Sequence, residues 1–273
     1  MVIRRVLGSY FSATGTTQRI VETITHDLSA LLSIPEQIHD FTLPEKREMA
    51  LLLETTDLVV FGTPVYAGRV PNVLLPYIRH CVLGNHALAV PIVVYGNRNY
   101  DDALIELRDL LETNGFHTIA AGAFIGEHAF SNCLGANRPD QSDLKIVHQL
   151  AKRISEQVQR MESKPTQPVW VKGNAPVRPY YVPRDREGKR VNILKVHPET
   201  NEKCTQCGIC VAACPMGSIS KEDARIITGI CIKCGACVKK CPVGAKYYID
   251  EKYLYHKREL EELYARRAEP ELF

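Results

Sequence analysis

SYFSATGTTQRI, residues 9–20, carries an apolar run that begins at Ile3 into the start of an amphipathic repeat. Its bend crowds four hydroxyls, Ser12, Thr14, Thr16 and Thr17, around Ala13 and a single glycine, Gly15. A strand that turns into a helix leaves free N–H groups at the positive end of the helix dipole. Those groups hold a phosphate without a cationic side chain. A nucleotide loop of the form G-x4-G-K-[ST] is absent, as is the G-x-G-x-x-G of a dinucleotide fold. A phosphomonoester remains, with a plain N-cap cluster as the alternative.

Strand and helix patterns alternate five times through residues 1–162. The strands read Ile3–Phe11, Glu36–Phe41, Leu58–Phe61, Leu88–Tyr95 and Thr118–Ile125, three of them nearly continuous apolar runs. Such runs suit parallel strands covered on both faces. Helices are expected at Thr16–Leu32, Glu45–Glu54, Pro71–Leu83, Asp101–Asn114 and Asp143–Met161. The fold class is therefore α/β, a doubly wound five-stranded parallel sheet in the order 2-1-3-4-5. Its ligand site lies outside the carboxyl ends of the strands.

Two more loops reach that edge. Pro64, Val65, Tyr66, Ala67 and Gly68 follow the third strand; Gly96, Asn97, Arg98, Asn99, Tyr100 and Asp101 follow the fourth. Each carries one tyrosine that reads as exposed. Two aromatics on neighbouring loops can sandwich a planar ring while loop amides satisfy its polar edge. A phosphate loop beside two such loops is the layout FMN requires. A third segment, Phe124–Asp140, brings Glu127, His128 and Cys133 to the same edge, and His128 is the candidate proton donor to a reduced flavin.

Eight of the ten cysteines lie between 204 and 241. CTQCGICVAACP and CIKCGACVKKCP each read C-x2-C-x2-C-x3-C-P, the run of a two-cluster bacterial ferredoxin. One [4Fe-4S] cluster is expected on Cys204, Cys207, Cys210 and the remote Cys241. The other is expected on Cys231, Cys234, Cys237 and the remote Cys214. Zinc sites also use paired C-x2-C, but they split four ligands into two pairs. Residues 199–249 hold too few large apolar side chains for a core of their own, so the clusters are expected to be the core.

The phosphate motif T/S-x-T-G-N-T of the flavodoxin family appears as Ser12-Ala13-Thr14-Gly15-Thr16-Thr17, with Thr16 in place of Asn. With Tyr66, Tyr100 and the cysteine runs, the chain resembles the flavodoxin–ferredoxin fusion proteins of anaerobic bacteria and archaea. The resemblance implies FMN and two [4Fe-4S] clusters in one chain. It also implies electron transfer between them, linking one-electron carriers to a flavin. The alternative is a flavin-dependent oxidoreductase that acts on a small molecule at FMN with electrons from the clusters. A weaker reading is an FMN-free domain used for docking. Expected partners are redox proteins, with a small-molecule substrate at FMN under the alternative and a homo-oligomer left open.

Residues 163–198 hold six of the sixteen prolines and read as a Pro-rich linker. Within 171–196, seven Lys/Arg face Asp185 and Glu187. The reading is thus four segments: 1–162 for FMN, 163–198 as linker, 199–249 for the clusters, and 250–273 as helix and tail. Tyr253, His256, Leu260, Leu263 and Tyr264 share one face of that helix, while the final AEPELF has no derivable role. The net charge of +3 gives no case for nucleic acid, and no apolar run reaches the ~18 residues of a membrane span. Cysteines at cluster spacing suit a reducing compartment, so a soluble, cytoplasmic protein is expected.

Overall fold

The structure, a computed structural model, describes residues 2–273. The sheet is built from β1 (Arg5–Tyr10), β2 (Glu36–Asp40), β3 (Asp57–Pro64), β4 (Leu88–Tyr95) and β5 (Gly122–Ile125), closed by β6 (Glu271–Leu272). The order is β2-β1-β3-β4-β5-β6. The first five strands are parallel, with Leu7 beside Val59 and Val59 beside Ala89, and β6 runs antiparallel along β5.

Alternation sends each strand's residues to two cores. Leu7, Val59, Phe61 and Ala89 face α2 (Leu75–Cys81) and α3 (Ala103–Thr113). Val6, Val60, Val90 and Ile92 face α1 (Thr16–Leu32) and α4 (Gln141–Arg160). All eight residues of β4 are buried, which explains its unbroken apolar run. Each buried Val, Leu or Phe contributes about 1.5–3 kcal/mol, and this dominates the stability of the domain.

The helix expected at Glu45–Glu54 does not form. Pro44–Arg47 makes one 3-10 turn, and Leu51–Leu52 then runs extended beside Val82–Leu83. Arg47 is drawn off to the carbonyls of Phe41 and Thr42, which ends the turn. The Pro71–Leu83 pattern shortens to a 3-10 turn at Asn72–Leu74 followed by α2.

Beyond a strap formed by residues 163–198 lies the cysteine-rich unit. It has two matching four-residue helices, α5 (Ile209–Ala212) and α6 (Ala236–Lys239), and a short antiparallel pair, Glu199–Thr200 with Lys246–Tyr247. Gly208 and Gly235 cap the two helices at the same φ of 75°, a left-handed conformation that glycine adopts freely. The chain then forms α7 (Glu251–Leu263) before β6. Tyr253, His256 and Leu260 of α7 are buried against the protein, while Leu263 is exposed.

The strap is packed rather than free. Arg178 grips the buried Asp102 at 2.9 Å, the Tyr181 amide donates to Ala67 O, and Arg186 pairs with Glu259. Most of its basic side chains with a partner thus serve the chain itself.

Candidate functional site

The 12–17 loop sits at the carboxyl end of β1. Ser12 Oγ accepts from the Gln18 amide at 3.0 Å, and Thr42 Oγ1 accepts from the Ser12 amide at 2.8 Å. Gly15 has φ +92, no side chain caps α1 there, and a Cβ on Gly15 would meet nothing within 4 Å. The first turn of α1 therefore faces an open cradle: Ser12 takes the Gln18 amide, and the amides of Thr16 and Thr17 are left for an anion. Thr17 is buried, and Thr14 and Thr16 are half-exposed at the rim. Thr42 was not legible as a site residue, because only the β1–β2 pairing brings it to this loop.

The 64–69 loop is a tight hairpin. Tyr66 and Arg69 exchange backbone hydrogen bonds of 3.0 and 3.1 Å, and Ala67 and Gly68 turn the chain with positive φ. A Cβ on Gly68 would lie 2.3 Å from Asp101 Oδ2, so this loop and the 96–101 loop abut. Arg98 pairs with Asp101 and lies over the Tyr181 ring of the strap at 4.4 Å.

The two tyrosines do not form the expected sandwich. Tyr100 is only 5% exposed, packs at 5.6 Å from Tyr95, and donates its hydroxyl to Glu271 of β6 at 3.0 Å. It belongs to the core because the C-terminal segment covers it. Asn97 is likewise occupied by that segment: its amide donates to Tyr264 O and Arg266 O at 2.7 and 2.6 Å and accepts from the Ala268 amide. Those bonds draw the chain off the helical path after Leu263. Tyr66, by contrast, packs beside the cysteine-rich unit. Burial, then the thiols of Cys234 and Cys231, push its phenol well up.

The segment after β5 connects the two halves of the site. Gly126 lies over Thr16, so that a Cβ there would stand 2.9 Å from Thr16 Cβ. One to five residues on, Ala129 touches Gly235, and Lys239 pairs with Glu127 and donates to Ser131 O at 2.9 Å. His128 is packed over Gly96, and its Nδ1 accepts from the Phe130 amide at 3.0 Å. Burial pushes its imidazole down to about 3, helped by His256, Lys239 and Arg98. His128 is therefore neutral at physiological pH. Its ring is held as a hydrogen bonder, with Nδ1 taken by the Phe130 amide. Cys133 is exposed, with its Sγ 3.3 Å from Ser131 Oγ.

The eight clustered cysteines surround two cavities. Cys214, Cys231, Cys234 and Cys237 line one; Cys204, Cys207, Cys210 and Cys241 line the other. Backbone amides point at the two remote sulfurs in matching fashion, Ser218 N to Cys214 Sγ at 3.3 Å and Ala245 N to Cys241 Sγ at 3.1 Å. The first cavity is also lined by Tyr248, whose buried hydroxyl has no partner in the protein. A buried O–H without an acceptor costs about 1–3 kcal/mol, and sulfide or thiolate sulfur in this cavity would supply the acceptor. Both cavities therefore fit a thiolate-held cluster. The first faces the flavodoxin-like sheet, where Cys234 and Ala236 join the same core as Tyr66 and Val65.

A model of the flavodoxin domain matches residues 9–127, and a model of the 4Fe-4S dicluster domain matches residues 203–246. Among solved structures, the chain is similar to a flavodoxin from the domain Archaea, with 13% identity, a TM-score of 0.43, and coverage of 57% of this chain and 99% of that one. It is similar to the flavodoxin of Streptococcus pneumoniae TIGR4 at 12% identity and a TM-score of 0.40, covering 56% and 99%. Rubredoxin:oxygen oxidoreductase from the anaerobe Desulfovibrio gigas gives 13% identity and a TM-score of 0.39, covering 58% of this chain and 37% of that one. No curated protein matches the chain. No helix among the described residues is long and apolar enough to cross a membrane.

Proposed function

From a chain that joins a flavodoxin domain to a 4Fe-4S dicluster domain, and so implies FMN and two [4Fe-4S] clusters, we propose an internal electron relay. The cluster held by Cys214, Cys231, Cys234 and Cys237 is the one next to the flavin, and the other faces a redox partner. FMN exchanges one or two electrons and each cluster one, so the relay converts between one-electron carriers and a two-electron cofactor.

The observation that carries this reading is that Tyr66, on a flavin loop, packs into the same apolar core as Cys234 of the cysteine-rich unit. Residues 12–17 would hold the phosphate through the first amides of α1, and Val65 and Tyr66 would flank the ring. The remaining candidates on the 96–101 loop serve to anchor the tail and the strap instead. Cys204 and Cys207 are half-exposed and exposed, with Ile209 and Val243 exposed beside their cavity. That opening is where a redox protein would approach.

The small-molecule alternative is less well supported. The tail and the strap bind the 96–101 loop, and the one convergent imidazole, His128, is neutral and buried.

Anaerobic purification with iron and flavin assays, followed by rapid mixing of the protein with a one-electron reductant, tests the relay. Flavin bleaching after cluster reduction should be first order, at a rate independent of protein concentration. A rate that rises in proportion to concentration would mean that electrons cross between molecules, and the relay reading would fail.

A further inference from the structure

Lys246 lines the cavity of Cys204, Cys207, Cys210 and Cys241. It is only 3% exposed, although lysine stems normally lead their charge out to water. Its Nζ donates to Ala224 O at 2.6 Å, and among the described residues no carboxylate pairs with it. One carbonyl does not offset the several kcal/mol that desolvating an ammonium costs. A buried charge of this kind requires an anion, and the protein supplies none.

The internal repeat makes the position more pointed. The two cysteine runs are offset by 27 residues, so Lys246 corresponds to Ile219. Ile219 is also buried and lines the other cavity. The halves agree at the capping glycines and at the amides that meet the remote sulfurs, yet one carries an ammonium where the other carries methyl groups. The strand that carries Lys246 also packs against α6, which holds Cys237 of the other ligand set.

We propose that Lys246 is a buried counter-cation shared by the two clusters, which makes both easier to reduce and lessens the repulsion between their added electrons. Each reduction places one more negative charge on a cluster. A fixed positive charge in a low-dielectric interior stabilises the reduced form more than the oxidised one, so both potentials rise. The inference rests on the presence of two clusters and not on the direction of electron flow.

The test is voltammetry or EPR-monitored titration of the full-length, cluster-loaded protein and its Lys246→Met, Lys246→Gln and Lys246→Arg variants, with iron counted in each. The neutral variants should lower the equilibrium constant for reduction about tenfold at one cluster or both, which is about 59 mV for one electron. Lys246→Arg should stay within about threefold of the parent. Unchanged potentials in fully loaded neutral variants would overturn the proposal, as would an arginine variant that shifts as far as they do. If the neutral variants lose iron, retention by Lys246→Arg upholds the need for charge. Loss of iron by Lys246→Arg as well would reduce the residue to packing and end the proposal.

Discussion

Gly235, which caps α6 in the cysteine-rich unit, lies against the carbonyl of Ala129 in the segment after β5: a Cβ on it would stand 2.5 Å from that oxygen. Gly208, its counterpart in the repeat, has the same φ of 75° but nothing within 4 Å. The pair separates backbone strain from domain contact. Gly208→Ala should cost only the left-handed penalty of about 1–2 kcal/mol. Gly235→Ala should cost the same plus about 1–3 kcal/mol of overpacking, and should slow intramolecular electron transfer by moving the cluster loop off the sheet. Thermal unfolding and stopped-flow rates for both variants would measure the difference. Equal losses would show that the Ala129 contact gives way freely.

Tyr66 offers two separable contributions, a ring surface and a hydroxyl. Tyr66→Phe should leave FMN affinity nearly unchanged. Tyr66→Ala should weaken it about tenfold, from the loss of roughly 0.5–1.5 kcal/mol of aromatic contact and some buried area. Titration of the apo-flavin protein with FMN, followed by flavin fluorescence, provides the check. Tyr100→Phe serves as the contrast: it loses only the bond to Glu271 and should alter stability rather than flavin affinity.

Asn97 holds the tail through three backbone bonds. Asn97→Ala strips two part-buried carbonyls and the buried Ala268 amide of their partner, which costs about 1–3 kcal/mol. Its signature should be local: faster amide exchange and proteolysis in 264–273 with little change at β1 or α1. Uniform loss of protection across the domain would show that the tail and sheet unfold as one unit.

Burial holds His128 and His256 down at about 3 and about 4, against an ordinary 6.5. Above pH 6.5 both imidazoles are neutral whether folded or unfolded, so their full contribution to stability is present. As pH falls below 6.5, the unfolded chain takes up protons that the folded chain refuses. Stability should therefore drop, by about 1.4 kcal/mol per pH unit for each imidazole, until pH approaches the folded values. Denaturation midpoints between pH 7 and pH 5 should fall more steeply in the parent than in His128→Gln. Parallel curves would mean that His128 titrates freely.

Removal of iron by a chelator under reducing conditions should unfold residues 199–249, where Cys210, Ile219 and Ala224 form only a small apolar cluster and Ala236 and Ala245 add little more than methyl groups. The sheet should survive, since the core on its α1/α4 face takes nothing from this unit and the other takes chiefly Cys234 and Ala236 from it. Amide exchange would show protection lost in the cysteine-rich unit and kept in β1, β3 and β4. Retained protection at α5 and α6 would show that the polypeptide holds the unit without metal.

Most of the sheet was legible because its signals are local: unbroken apolar runs for β3 and β4, and hydroxyls with one glycine at the start of α1. The cysteine spacing was legible for the same reason, since four thiols on one short loop leave few other uses. Tyr100 misled because its loop reads as exposed when the residues that bury it lie 171 positions away at Glu271. His128 misled in a similar way: its ring meets Phe130, which is itself packed against His256 of α7, far along the chain. The helix pattern at Glu45–Glu54 lost to a competing use of Arg47, whose Nη2 also donates to Pro215 O at 2.7 Å, beside the remote Cys214. Each miss concerns a partner distant in sequence, which periodicity cannot see.

β6 completes the flavin sheet with residues translated after the whole of the cluster unit. The edge of β5 therefore stays unpaired while that unit is being made, and Tyr100 stays uncovered with it. Final closure of the first domain is a late event in the life of the chain. A chain cut before residue 271 would expose an open strand edge, a ready template for pairing with another chain.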